Sequence, residues 1–134
     1  MRKWNWVELL VKAIEDAAAR PFDYGTENCG LFAAQCIDAI VVDSARVVEL
    51  RAQFTDEASA RAFVELAGGM EAAVTSRLGP PVAWPRAMRG DIGLMPTQDG
   101  PGLGVCVGDT MAMMSPAGIA YLKIDKALKV WRVE

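Results

Sequence analysis

Along the first eighteen residues, Val7, Leu10, Val11, Ile14, Ala17 and Ala18 recur at helical spacing, while Glu8, Lys12, Glu15 and Asp16 take the opposite face. That pattern predicts an amphipathic helix. Asn5 with Glu8 three residues on has the form of a capping box, Trp4 and Leu9 are spaced as a hydrophobic staple, and Pro21 closes the element. After the turn-rich stretch Phe22 to Asn28, a second helix is predicted from Cys29, with Phe32, Ala33, Cys36, Ile37 and Ile40 on its apolar side. Residues 41 to 54 mix β-branched and charged positions, and periodicity leaves strand, helix and loop open there. Thr55, followed by Asp56 and Glu57, predicts the cap and acidic first turn of a helix that stops at Gly68 and Gly69. A short helix over Met70 to Leu78 ends at Gly79, Pro80 and Pro81.

Beyond that point the pattern becomes short apolar runs broken by glycine and proline, which predicts a small antiparallel sheet. The strands are expected at Ile92 to Met95, Leu103 to Val107, Thr110 to Met114, Ile119 to Leu122 and Lys129 to Val133. Gly108 and Asp109 suit a hairpin turn, and Ser115 to Gly118 the next reversal. Helices over about residues 4–79 followed by strands over about 90–134 give an α+β domain spanning the chain.

Composition narrows the function classes. The 134 residues are 52% apolar and 23% charged, a globular balance with enough chain for one core. A formal charge of -3, with no basic stripe, speaks against nucleic acid. The apolar stretch around 29 to 42 carries Gln35 and Asp38 and is too short to span a bilayer. The odd number of cysteines and a start lacking a signal-peptide pattern lead us to expect synthesis in a reducing cytoplasm. Cys29, Cys36 and Cys106, with neither a CxxC pair nor a histidine, do not form a zinc set, and no cofactor is expected. Gly100, Gly102 and Gly104 lead into a strand and suit close strand packing better than a phosphate loop.

The candidate chemistry centres on Cys29, delivered by a loop into the first turn of a buried helix, where backbone N–H groups and the helix dipole favour a thiolate. The stretch PFDYGTENCGLFAAQC, Pro21 to Cys36, resembles the nucleophile segment of the NlpC-type papain-like cell-wall cysteine peptidases, with Asn28 in place of their aspartate. RGDIGLM, Arg89 to Met95, resembles the Gly-Asp start of that family's first strand. GLGVCVGD, Gly102 to Asp109, resembles its second, and KALKVWRVE its closing strand. The likeness extends over about residues 20–134 and implies a papain-like fold. In that register the catalytic histidine position falls on Gly102, with Leu103 the neighbour if the alignment slips by one. The chain has no histidine at all. It looks closer still to a short family of bacteriophage and prophage tail gene clusters, which implies a tail-tip protein located in the virion tail, with other tail proteins as partners.

Without a base, Cys29 reads first as a small buried residue at a helix start. Asp91, Glu27 and Asp23 are the carboxylates expected nearby, but a like charge raises a thiol pKa and does not replace imidazole. Met111, Met113 and Met114 share a predicted strand, Met111 and Met113 on one face and Met114 on the other. They are expected in the core, with an interface as the alternative and Met114 its first candidate. The combined expectation is a degenerate NlpC-type domain acting as a structural or assembly component of a tail tip. Two alternatives stay open: a cysteine hydrolase using Cys29 with a non-histidine or partner-supplied base, and a cytosolic protein-binding module.

Overall fold

The computed structural model describes residues 1–23 and 27–134. Tyr24 and Gly25, which belong to the nucleophile-segment resemblance, and Thr26 lie outside the described residues. Among the described residues the fold is α+β, with five helices and one five-stranded antiparallel sheet. The helices are α1 (Trp6–Ala18), α2 (Cys29–Ile40), α3 (Arg46–Arg51), α4 (Glu57–Ala67) and α5 (Met70–Leu78). The strands are β1 (Ile92–Thr97), β2 (Gly100–Cys106), β3 (Thr110–Ser115), β4 (Gly118–Lys123) and β5 (Lys129–Trp131), in the order β4-β3-β2-β1-β5. The undecided stretch 41–54 contains α3, whose six residues are too few for periodicity to declare.

One sheet face, with Ile92, Leu94, Leu103, Val105, Ala112 and Met114, packs on Leu10, Ile14, Phe32, Cys36 and Ile40 of α1 and α2. The other, with Met95, Cys106, Met111, Met113 and Val130, is covered by Val82 and Ala87 before β1 and by Ile124 and Ala127 before β5. The predicted alternation of the methionines therefore holds, but none of the three faces outward. Met114, the first interface candidate, is 4% exposed, and Met111 and Met113 are buried as well. Glycines make room for them: a Cβ at Gly93 would stand 2.8 Å from Met111 Cε, and one at Gly104 3.1 Å from Met113 Cγ and 3.2 Å from the Ala112 carbonyl oxygen. The expectation of close strand packing at Gly102 and Gly104 describes what these positions do.

Helix ends show where local signals were overruled. Asn28 caps α2 as its position suggests, its Oδ1 accepting from the Leu31 N–H at 2.9 Å. The cap of α4 is Asp56, not Thr55, in a reciprocal capping box with Ser59. At α1 the Asn5 side chain makes no capping bond, and Trp4 is 93% exposed, so neither the expected box nor the staple forms. The cause lies upstream. Residues 1–3 pair with the chain after α2, through Lys3 N–H to the Ile40 carbonyl (2.7 Å) and Val42 N–H to the Met1 carbonyl (2.8 Å). Asn5 is left at φ -106°, ψ 30°, away from the extended conformation a capping residue adopts.

Asp91 is fully buried and is the only buried charged residue among those described. Its Oδ1 accepts from Arg2 Nη2 (3.2 Å) and the Val133 N–H (3.1 Å), its Oδ2 from the Met88 N–H (2.9 Å). Arg2 also donates to the Val133 and Arg89 carbonyls, at 2.8 Å each, and its guanidinium lies 4.2 Å from the centre of the Trp6 ring. Asp91→Ala would leave these donors without their acceptor, so it is expected to cost about 3–5 kcal/mol in urea unfolding. Tyr121→Ala, on the exposed outer strand, should cost less than about 1 kcal/mol. Equal losses in the two variants would deny Asp91 its anchoring role.

Candidate functional site

The extended backbone of Asn28 turns the chain into α2 and sets Cys29 at its first position, half-buried against β2. Strand β2 is held on one side by β1 along its whole length, from Thr97↔Gly100 to Ile92↔Val105. Its pairing with β3 is confined to Val105↔Ala112 and Cys106↔Met111. Over Gly102 and Leu103 the two strands are therefore unpaired, and Cys29 stands beside this opening. A Cβ at Gly102 would lie 3.8 Å from Cys29 Sγ, 3.1 Å from Met113 Cε and 3.3 Å from Thr97 Cγ2. Of the two register positions raised by the sequence, Gly102 is thus a position from which a side chain would begin next to the sulfur.

Burial pushes the Cys29 thiol above its ordinary value, and the backbone N–H groups of Leu103, Gly30 and Cys29 itself only partly oppose this by stabilising the anion. The helix-start location thus supplies donors but does not win: near neutral pH the group is a thiol. Burial raises Cys36 to about 12, and it raises Cys106 too.

Two of the carboxylates expected near Cys29, those of Glu27 and Asp91, have other duties. Glu27 Oε2 is held by Arg20 Nε and Gln35 Nε2, both at 3.2 Å, and its Oε1 by Arg51 at 3.5 Å. Asp23 exchanges backbone hydrogen bonds with Glu27 at 3.0 and 2.8 Å. Asp91 lies four residues along β1 from Met95, the partner of Gly102, a separation of roughly 13 Å at ordinary strand rise. Among the described residues, no group of three or more His, Cys, Asp or Glu side chains is arranged to hold a metal ion. Among the described residues no helix is long and apolar enough to cross a membrane.

Cys29 and Gly102 open into a groove of about 1040 Å3. Its walls come from α2 (Ala33, Ile37), α5 (Val74), α3 (Arg46, Leu50), Phe54 and α4 (Ala60, Val64), as well as from the sheet. This groove was not legible in the sequence, because it gathers single positions from many elements. The one available sign was Phe54 closing an otherwise ambiguous stretch. Met113 and Met114 line it too, but from buried positions.

Residues 1–133 match the family described as Domain of unknown function (DUF6950), and the chain belongs to that family. No curated protein matches it.

The raised thiol pKa fixes how Cys29 should react, since the thiolate is the attacking species. Alkylation by iodoacetamide, followed at Cys29 by peptide mass mapping, should be slower than for a free cysteine near pH 7. Its rate should still climb as pH rises past 9.0, the ordinary thiol value. A rate that levels off below pH 8 would mean an activated thiolate.

Proposed function

We propose that this member of the DUF6950 family is a structural or assembly component of a bacteriophage tail tip, built on an NlpC-type papain-like fold whose catalytic base is gone. The observation that carries the reading is the apposition of Gly102 and Cys29. The strand position to which the motif register assigns the histidine lies beside the sulfur, 3.8 Å from where its side chain would begin. An accidental likeness of short motifs has no reason to bring those two positions together, since they stand 73 positions apart in the chain. The order of helices before an antiparallel sheet, and an asparagine-capped helix that begins with the cysteine, support the same reading.

A domain of this form without imidazole cannot take the proton from its thiol or deliver one to a leaving amine, the two transfers on which cysteine-histidine hydrolysis depends. Retention of such a chain in a tail gene cluster is then explained by its surface and its place in an assembly. The location is the virion tail, and the partners are other tail proteins.

Two experiments test this. Deleting the gene from a phage or prophage that carries it should leave tails defective or absent in electron micrographs, with Cys29→Ser restoring them as well as the wild-type gene does. Normal tails without the protein, or a requirement for the Cys29 thiol, would overturn the structural role. The fold reading is tested separately by Gly102→His, combined with Met113→Ala to clear the nearest side chain. A folded variant should alkylate at Cys29 at least about tenfold faster near pH 7 than Met113→Ala alone, as expected when an imidazole pairs with a thiol. An unchanged rate in a folded variant would refute the papain-like register.

A further inference from the structure

The groove beside Cys29 is unusual in having a helix for a wall that contributes nothing to the core. Helix α4 has no fully buried residue; its Phe63 and Val64 are only half-buried. Phe63 instead tilts against Phe54 with ring centres 5.7 Å apart, and Arg77 covers it at 4.9 Å. The opposite wall, Ala33, Ile37 and Val74, is apolar and buried at its base. The volume is at the upper end of what small-molecule sites enclose.

The charges along the groove are uneven. Glu49 is taken by Arg77 at 2.7 Å and Glu57 by Arg61 at 2.7 Å, while Glu65 and Asp99 stand on the exposed rim. Arg46 is different. It is half-buried, and although Asp38 accepts from its backbone N–H at 2.8 Å, among the described residues no carboxylate lies within ion-pair distance of its guanidinium. The one hydrogen bond its guanidinium makes there is a long one, 3.4 Å, to the Arg77 carbonyl. An apolar trough with a single uncompensated, half-buried guanidinium complements an apolar body that carries one negative head. An extended peptide fits less well, because each of its residues brings an N–H and a C=O that the mainly apolar lining cannot satisfy.

We propose that the groove binds a free long-chain carboxylate, its acyl chain lying between α2 and α4 and its head at Arg46. Occupation would bury the apolar side of α4 and cover the route to Cys29.

The test uses the full chain with dansyl-undecanoic acid as fluorescent probe and tetradecanoic acid as competitor. The expected result is saturable probe binding, displacement by the acid, and slower alkylation of Cys29 when the acid is bound. Tetradecanol should compete about tenfold less well, and Arg46→Gln should weaken the acid by about tenfold while leaving the alcohol unchanged, the effect of one lost charged hydrogen bond. Ala60→Trp, which fills the trough from α4, should abolish binding of both. If Arg46→Gln fails to fold, Arg46→Lys must keep the preference for acid over alcohol. Absence of saturable binding, binding that survives Ala60→Trp, or equal affinity for acid and alcohol would each overturn the proposal.

Discussion

The carboxylate of Asp91 ties together three stretches of chain: the N-terminal residues through Arg2, the turn before β1 through Met88, and the end of the chain through Val133. Its charge is removed from water, and what compensates it is two backbone donors, the hydrogen-bonded Arg2 guanidinium and the Arg132 guanidinium at 3.9 Å. The backbone of the same residue continues the arrangement. Its carbonyl accepts from the Cys106 N–H while the Gly90 N–H donates to the Cys106 carbonyl, each at 2.8 Å, so the anchor also fixes the end of β2. Gly90 is required for two reasons. Its φ is +90°, and a Cβ there would stand 3.1 Å from the Arg2 guanidinium carbon.

From that anchor follow the position of β1, between β2 and β5, and the register that sets Met95 against Gly102. Because the β1–β2 pairing runs to the far end of both strands while β2–β3 pairing stops at Val105, the opening beside Cys29 is a property of the sheet and not of the loop that carries the cysteine. The methionines complete this part of the fold. Flexible side chains reach into space left by Gly93 and Gly104, where a stiffer residue would meet the opposite strand.

What the sequence disclosed, it disclosed through period and punctuation. Helices α1, α2, α4 and α5 and all five strands were legible because apolar spacing, cap residues and Gly or Pro stops mark them. Of these, α5 agrees at both ends and β1 and β3 run one or two residues past their expected ends. The double burial of the sheet was not legible. The segments that cover its second face, around Val82 to Ala87 and Ile124 to Ala127, are short turns without a period, so Met111 and Met113 could be assigned a face but not a covering. Arg2 is 89 residues from Asp91, and nothing local in either neighbourhood announces the pair. The site was half legible. Cys29 at a helix start and Gly102 in the strand register came from motifs, but the groove beside them depends on α3, which periodicity did not place, and on the packing of α4, whose contacts leave no trace in sequence.

The surroundings of the Cys29 sulfur combine two tendencies that seldom serve one purpose. Burial favours the neutral thiol, as it does for any cysteine used as packing, yet three backbone N–H groups, from Cys29, Gly30 and Leu103, are oriented to favour the anion. A cysteine that only fills space has no use for such donors. A catalytic cysteine does, but then requires a cation nearby to make the buried anion affordable, and position 102, where a side chain would begin beside the sulfur, holds glycine. Donors without a counter-charge leave burial as the stronger influence, and the sulfur stays a thiol near neutral pH. A neutral sulfur needs no charged, water-accessible cleft around it, so an apolar groove next to the cysteine is compatible with a stable fold.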